Sequence, residues 1–222
     1  MNQPHAHLIW TDDETPIARA FDDPYYSLAN GLAETRYVFL DGNDLPARFF
    51  PAFEIAELGF GTGLSFLTAW QAWDRSGHAG TLHFTSFEAF PMSPADTARA
   101  LAPFAELRSY ADTLVNWLQD PFMPIAPNVS LTICQGDARR TVPAWDGQAD
   151  AWFLDGFSPA KNPELWEADL MKAVGTKTAP AGTFATYTAA GHVRQKLADA
   201  GFDVQRIKGF GRKRHMSIGT KP

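Results

Sequence analysis

The stretch FEIAELGFGTGLSFLTAWQAW, residues 53–73, decides the fold of this chain. Its apolar start predicts a buried strand, its glycines predict a tight turn, and the apolar residues after them recur at helical spacing. Glycines at such a turn let the backbone approach a ligand beside the positive end of the helix dipole. The spacing is G-x-G-x-G, with Leu64 where a dinucleotide fingerprint has its third glycine, and the pattern G-x-x-x-x-G-K-[ST] is absent. Phosphate is therefore not the favoured ligand of this turn.

The segments downstream repeat the alternation of strand and helix. Four more short apolar runs follow, TLHFTSFE, VSLTIC, ADAWFLD and GTFATYT, and helical stretches such as PELWEADLMKAV lie between most of them. Nearly continuous apolar strands joined by helical crossovers predict a parallel sheet covered on both faces, which is a doubly wound α/β fold. Near the end, DVQRI and RHMSI flank a glycine-containing turn and predict a closing antiparallel hairpin.

The upstream segment has a different composition. Residues 1–52 carry eight Asp or Glu against three Arg. We interpret them as an N-terminal extension that packs on a single domain formed by residues 53–222. Within the extension, RYVFL at residues 36–40 is rich in aromatic and β-branched side chains and predicts a strand, with a turn at the following DGN.

The composition of the whole chain limits the class of protein. Of its 222 residues 45% are hydrophobic and 20% charged, and the formal net charge is -6. These values predict a folded protein and argue against one that coats nucleic acid by bulk charge. The chain has one cysteine, Cys134, and its histidines lack metal-ligand spacing, so we expect neither a disulfide nor a metal. Without a signal-peptide pattern or a long apolar run, we expect a cytoplasmic protein that does not bind a membrane.

Basic residues are concentrated at the other end of the chain. Residues 191–222 contain eight Lys or Arg against two Asp. The predicted hairpin tip combines Phe210 with four of these cations, which suits contact with phosphates and bases. A solvated turn is the alternative. The candidate RNA-binding residues at this tip are Lys208, Arg212, Lys213 and Arg214.

Acidic residues occur at the ends of the first three predicted core strands. Glu57 precedes the glycine turn, Glu88 ends the second strand, and Asp137 follows the third. An acid before the turn suits a ligand with an ammonium and a sulfonium group, as in S-adenosyl-L-methionine. Glu88 could accept hydrogen bonds from ribose hydroxyls and Asp137 from the adenine amino group. Each acid alone could be an ordinary strand end, but the ordered set favours a cofactor site formed by Glu57, Gly59, Gly61, Gly63, Glu88 and Asp137.

A fourth acid, Asp155, ends the run ADAWFLD, where a cofactor's reactive carbon would face a substrate. If the nucleophile is an amine, a carboxylate can hold it as an ammonium and then take its proton. It also offsets the repulsion between two neighbouring cations. Phe157 could wall the pocket or stack on a base, and Lys161 could contact the substrate. The alternative is that Asp155 caps the loop that follows it.

These motifs together resemble a known family, the methyltransferase half of the bifunctional tRNA 5-methylaminomethyl-2-thiouridine biosynthesis proteins (MnmC), which also occurs as a free-standing enzyme. The resemblance covers nearly the whole chain. It rests on YYSLANGLAETRYVFLDGNDL, ELGFGTGLSFLTAWQAW, FTSFEAFP, DAWFLDGFSPAKNPELW and GFGRKRHM. Two positions depart from the family pattern: Ser65, where asparagine is common, and Ala89, where lysine commonly follows the glutamate.

The resemblance implies a class I, Rossmann-like methyltransferase fold with a mostly parallel seven-stranded sheet. It also implies S-adenosyl-L-methionine as donor, methylation of the aminomethyl group of 5-aminomethyl-2-thiouridine at the tRNA wobble position, and Asp155 as the acid facing that amine. The flavin-dependent half of the bifunctional proteins has no counterpart in this sequence. We therefore expect the free aminomethyl group to come from another enzyme, such as a separate flavin-dependent oxidase partner.

Two alternatives to this function stay open. One is a class I methyl- or aminopropyl-transferase that acts on a small amine and does not need the basic hairpin tip. The other is a non-catalytic module that binds tRNA or the cofactor.

Overall fold

The computed structural model describes residues 5–27, 30–121 and 124–222. It begins with a small antiparallel sheet of three strands, Leu8–Trp10 (β1), Pro16–Ala18 (β2) and Asp23–Pro24 (β3). Helix α1, Gly31–Thr35, follows and is capped by the Asn30 side chain, which accepts a hydrogen bond from the Ala33 N–H.

The predicted strand over residues 36–40 is wrong. Helix α1 continues into one turn of π-helix, Arg36–Leu40, and then into a 3-10 turn, Asp41–Asn43. Val38, Phe39 and Leu40 are buried, and the Phe39 ring stacks on Phe153 with centroids 5.1 Å apart. Packing against the central sheet therefore overrides the strand preference of these side chains.

A seven-stranded sheet forms the centre of the molecule. Its strands are Phe53–Leu58 (β4), Leu82–Glu88 (β5), Val129–Gln135 (β6), Ala149–Leu154 (β7), Thr178–Thr186 (β8), Asp203–Lys208 (β9) and His215–Thr220 (β10). The order is β6-β5-β4-β7-β8-β10-β9, and the first five of these strands are parallel. Strand β10 runs antiparallel to β8 and β9 and pairs His215 with Lys208, so the predicted closing hairpin is confirmed.

Helices cover both faces of the sheet, as a doubly wound fold requires. They are Leu64–Ser76 (α2), Pro94–Leu101 (α3), Arg108–Gln119 (α4), Ala138–Ala144 (α5), Ala168–Thr176 (α6) and Gly191–Asp199 (α7). The α2 face buries Phe53, Phe66 and Trp73, and the opposite face buries Trp152 and Met171. Helix α5 is a further element, which the sequence patterns did not single out. Within the described ranges no helix is long and apolar enough to cross a bilayer.

The N-terminal segment packs on this sheet. Leu32, Val38 and Phe49 belong to the same buried cluster as the strand residues Phe53 and Phe84. The division of the chain into an extension of residues 1–52 and a domain of residues 53–222 stays a prediction. Residues 1–4, 28 and 29 of that extension lie outside the described residues.

Candidate active site

A cavity of about 770 Å³ opens at the carboxyl ends of β4, β5, β6 and β7. The chain runs outward from β4 to β6 and then restarts at β7 on the other side of β4, which is the type of switch point where open α/β sheets bind ligands. The predicted site residues that line the cavity are Gly59, Gly61, Glu88, Asp137, Asp155, Phe157 and Lys213. Those that do not are Glu57, Gly63, Lys161, Lys208, Arg212 and Arg214.

The glycine turn approaches the neighbouring strand end closely. Gly59 has a φ of +88°, and a Cβ placed on it would lie 2.9 Å from the Asp155 carbonyl oxygen. Its N–H donates to the Phe87 carbonyl oxygen at 2.9 Å. Only glycine suits this position without strain, because its backbone is left-handed and the space for a side chain is missing. The turn is thereby held against both β5 and β7.

Glu88 connects the end of β5 to the glycine turn. Its Oε2 accepts a hydrogen bond from the Gly61 N–H at 3.1 Å, and its Oε1 accepts one from the Phe90 N–H at 2.7 Å. Burial raises the pKa of this carboxyl, while the backbone N–H groups around it act in the opposite direction. The arrangement holds the Glu88 carboxyl at the cavity wall, with both of its oxygens bonded to backbone N–H groups.

Glu57 lies behind the cavity wall. Its side chain is fully buried, and its Oε2 accepts a hydrogen bond of 2.7 Å from the Ser86 hydroxyl. Oε1 has no hydrogen-bond partner among the described residues. Burial first, and then the charge of Asp155, raise the pKa of this carboxyl well above its ordinary value of 4.5. Glu57 therefore favours its neutral form in the folded protein.

Asp137 caps a helix and forms an ion pair. Its Oδ1 accepts a hydrogen bond of 2.9 Å from the Arg139 N–H at the start of α5, and its Oδ2 lies 2.7 Å from the Arg139 guanidinium. Hydrogen bonding by that guanidinium lowers the pKa of Asp137. Arg139 also lines the cavity and lies 3.4 Å from Glu167. The carboxylate predicted for adenine thus already has a cationic partner at this edge.

Asp155 follows β7 and faces the cavity. Its Oδ2 accepts a hydrogen bond of 3.1 Å from the hydroxyl of Ser65, in the first turn of α2. Burial raises the pKa of Asp155 to about 7, whereas Ser65 and the Lys213 ammonium group lower it. A carboxyl with a pKa near neutrality is suited to accept and release a proton under physiological conditions.

Aromatic residues wall the cavity beside Asp155. The Phe157 ring stacks on Phe21 with centroids 4.7 Å apart and meets the Tyr25 ring edge-on at 5.1 Å. Lys161, which the sequence suggests as a substrate contact, instead lies 3.5 Å from Asp23 and binds the Asp22 carbonyl. Residues of the N-terminal segment therefore complete one wall and hold the loop after β7 in place.

The hairpin between β9 and β10 reaches the cavity through one of its four candidate cations. Lys213 Nζ lies 2.7 Å from Glu34 Oε1 and 4.4 Å from the centroid of the Tyr187 ring. The Tyr187 hydroxyl donates to the Gly156 carbonyl oxygen at 2.8 Å. Arg212 and Arg214 are exposed, as is Lys208, whose carbonyl oxygen accepts a hydrogen bond from Tyr37.

A family model described as S-adenosyl-L-methionine-dependent methyltransferase matches residues 106–222. The chain belongs to this methyltransferase family. The predicted fold class and cofactor are thereby confirmed. The match begins at the end of the segment between β5 and α4 and includes the strand ends that carry Asp137 and Asp155.

Two curated relatives have the same name, tRNA 5-methylaminomethyl-2-thiouridine biosynthesis bifunctional protein MnmC. The chain is 44% identical to the Chromobacterium violaceum protein over 99% of its own length and 35% of the relative's. It is 46% identical to the Pseudomonas fluorescens protein over 95% of its own length and 34% of the relative's. The methyltransferase thus spans about a third of the length of the curated relatives that it matches.

A solved structure extends the likeness to three dimensions. The crystal structure of MNMC2 from Aquifex aeolicus superposes with a TM-score of 0.77 at 26% identity, covering 100% of this chain and 72% of that chain. The superposition includes the segment of this chain upstream of β4, because it covers the whole chain.

The cavity residues of this methyltransferase suit S-adenosyl-L-methionine. Gly59 and Gly61 present the backbone of the turn to the cavity, while the Asp155 carbonyl oxygen and the Tyr25 ring occupy the places where their side chains would lie. Glu88 presents a carboxylate to the same space, where ribose hydroxyls could donate to it. Asp137 and Arg139 line the edge of the cavity where the sequence predicts the adenine. Among the described residues no cluster of three His, Cys, Asp or Glu could hold a metal ion.

Sequence reasoning does not find three polar residues of this cavity, Glu34, Arg139 and Tyr187. Tyr187 follows the end of β8, and the rule that ligands bind beyond the carboxyl ends of strands could have indicated it. Arg139 stands two residues after a predicted site acid. Glu34 comes from a helix of the N-terminal segment, and no local pattern connects it to the strands that it faces.

Proposed function

We propose that this methyltransferase acts on the primary amine of 5-aminomethyl-2-thiouridine at the wobble position of tRNA and produces 5-methylaminomethyl-2-thiouridine. The supporting observation is that the Asp155 carboxyl, with a pKa near 7, lines the same cavity as the glycine turn and Glu88. Such a carboxyl can bind a basic amine that serves as the acceptor of the methyl group. The names of the bifunctional relatives supply the tRNA substrate class.

The residues divide between holding the donor and preparing the amine. S-adenosyl-L-methionine, when bound, would supply an electrophilic methyl group, whose bond to sulfur breaks so that the cofactor leaves as the neutral thioether. Glu57 and Gly63 stand behind the cofactor side of the wall, and Gly59, Gly61, Glu88 and Asp137 form that side. Asp155 accepts a hydrogen bond from the substrate ammonium and takes its proton, which frees the nitrogen lone pair to attack. Alignment of the amine by Asp155 and the aromatic wall contributes most of the acceleration.

The direct test is methyl transfer to undermodified tRNA. Purified protein, S-adenosyl-L-methionine and tRNA bearing the aminomethyl group should give a mass increase of one methyl on the wobble nucleoside. Omission of the donor should abolish it. A folded protein that binds the donor but leaves the nucleoside unchanged would contradict the tRNA assignment and favour a non-catalytic module.

The role of Asp155 is tested by Asp155→Asn. The amide keeps the shape but cannot take a proton, so turnover should fall by about 100-fold or more while cofactor affinity stays within a few-fold of wild type. Asp146→Asn is the control, because Asp146 is an exposed aspartate outside the cavity. Full turnover in Asp155→Asn would remove Asp155 from the chemistry.

The hairpin tip distinguishes tRNA from a small amine. Arg212 and Arg214 are exposed and do not line the cavity, so they can meet phosphates outside it. Arg212→Glu with Arg214→Glu should raise the KM for tRNA and weaken its salt dependence. Lys172→Glu on α6 is the matched charge reversal away from the cavity. An unchanged KM in the double variant would favour a small-amine transferase.

Two further parts of the proposal concern the setting of the reaction. We place the protein in the cytoplasm, where its tRNA substrate is modified. We also propose that a separate flavin-dependent oxidase produces the free aminomethyl group before this enzyme acts. Cell fractionation, and tRNA nucleoside analysis in cells lacking such an oxidase, test these two points.

A further inference from the structure

Lys213 occupies a different place from the other cations of its hairpin. All three cations of residues 212–214 are exposed, but Lys213 lines the cavity whereas Arg212 and Arg214 lie off it. Its Nζ is 2.7 Å from Oε1 of Glu34, which is only 13% exposed. The Lys213 side chain itself is 49% exposed, so it lies at the mouth of the cavity with its ammonium group paired to that carboxylate.

The contacts of Lys213 join it to the part of the cavity wall that adjoins Asp155. Its ammonium group lies over the Tyr187 ring at 4.4 Å, a cation–π distance, and Tyr187 is tied by its hydroxyl to the carbonyl of Gly156, the residue after Asp155. Three elements that are distant in sequence therefore meet at one wall. They are helix α1 with Glu34, the segment after β8 with Tyr187, and the hairpin tip with Lys213.

We propose that Lys213 is a positioning residue of the acceptor side, whose ammonium group keeps the Asp155 carboxyl ionised and ready to take the proton of the bound amine. The proposal rests on the proposed function for its role in turnover. The role proposed here for Lys213 is that of a charge at the cavity wall, instead of the phosphate contact that the sequence suggests. Glu34 and the Tyr187 ring hold the cation there.

The balance of charge around Asp155 explains why a cation is needed. The titratable groups that face Asp155 include Glu57 from β4, Glu34 from α1, Tyr187 after β8 and Lys213 from the hairpin. Glu34 raises the pKa of Asp155, and the Lys213 charge lowers it. Without Lys213, two carboxylates would share the acceptor side, and Asp155 would retain its proton to higher pH.

The test compares Lys213→Met with Lys213→Arg. Loss of the cation should move the acid limb of the pH–rate profile upward, so that turnover at pH 6 falls about tenfold while turnover at pH 9 stays within about twofold of wild type. Arginine should restore most of the wild-type profile. Arg214→Met, at the same tip, should change the KM for tRNA and leave the midpoint of the limb in place. An equal movement of the midpoint in Arg214→Met would overturn the proposal.

A second measurement does not depend on the substrate. In protein labelled with ¹³C at the aspartate side-chain carboxyl, the Asp155 resonance is identified by its loss in Asp155→Asn. Its titration midpoint should be higher in Lys213→Met than in wild type, and Lys172→Met should not move it. An unchanged midpoint in Lys213→Met overturns the inference even if tRNA is methylated. A raised midpoint supports it even if the tRNA assay fails.

Discussion

The hydroxyl of Ser65 donates a hydrogen bond of 3.1 Å to Oδ2 of Asp155, across the gap between the first turn of α2 and the end of β7. This contact lowers the pKa of a carboxyl that burial raises to about 7. It also fixes the orientation of Asp155 beside the glycine turn. An asparagine, which the family resemblance suggests for position 65, could also donate a hydrogen bond there.

Ser65→Ala should therefore raise the pKa of Asp155 and move the acid limb of the pH–rate profile upward. The lost hydrogen bond to a charged group corresponds to about tenfold lower turnover below neutral pH. Ser65→Asn should retain more activity than Ser65→Ala at the same pH. Ser76→Ala, on the same helix, is the control. An unaltered profile in Ser65→Ala would show that this hydroxyl does not act on Asp155.

Glu57→Gln should stabilise the cofactor-free protein at neutral pH. The folded pKa of Glu57 lies above its ordinary value of 4.5, so the folded state binds this proton more tightly than the unfolded state. Stability is then lost as pH rises through the window from about 4.5 to the raised pKa, and glutamine removes that loss. Thermal unfolding at pH 4 and pH 8 should show a rise in Tm for Glu57→Gln at pH 8 only.

Glu106→Gln should change Tm at neutral pH in the opposite direction to Glu57→Gln. Hydrogen bonding to Arg36 lowers the pKa of Glu106, an exposed carboxyl, so its replacement should lower Tm slightly at neutral pH. For Glu57→Gln itself, a lower Tm than wild type at pH 8 would contradict the prediction. It would mean that Glu57 is ionised in the folded protein and that other groups stabilise its charge.

Gly59→Ala should weaken cofactor binding and lower stability more than Gly77→Ala does. Both glycines have positive φ, +88° and +68°. A Cβ at Gly59 meets the Asp155 carbonyl oxygen at 2.9 Å, whereas at Gly77 nothing lies within 4 Å. The comparison separates backbone strain of about 1–2 kcal/mol, which both variants share, from the displacement of the turn. Calorimetric titration with S-adenosyl-L-methionine and thermal unfolding measure the two effects, and equal losses in both variants would contradict a close approach at Gly59.

Glu88→Gln should reduce the affinity for S-adenosyl-L-methionine by about 10-fold or more, because an amide cannot offer a charged acceptor to the ribose hydroxyls. In the wild type, affinity should fall as pH falls through the raised pKa of Glu88. Glu54→Gln is the control, since Glu54 is a partly buried glutamate of β4 that does not line the cavity. Full affinity in Glu88→Gln would place the ribose elsewhere.

Local sequence patterns predicted much of the fold because the strands carry their own signal. The nearly continuous apolar runs from β4 to β8 can be buried only in a sheet covered on both faces, and the glycine turn after β4 marks its switch point. The predicted strand at residues 36–40 failed because the same aromatic and β-branched residues also suit a helix whose inner face is buried.

The candidate site was likewise predicted from the sequence only in part. The sequence by itself determined a doubly wound α/β fold and placed Glu88, Asp137 and Asp155 at strand ends, because parallel strands bring their carboxyl ends to one edge. Its resemblance to a known family added the expectation of a methyltransferase. Only the tertiary structure decided that Glu57 lies behind the wall, that Arg139 pairs with Asp137, and that Lys213 reaches the cavity beside Glu34. These relationships depend on side-chain direction and burial between segments distant in the chain, which local periodicity does not encode.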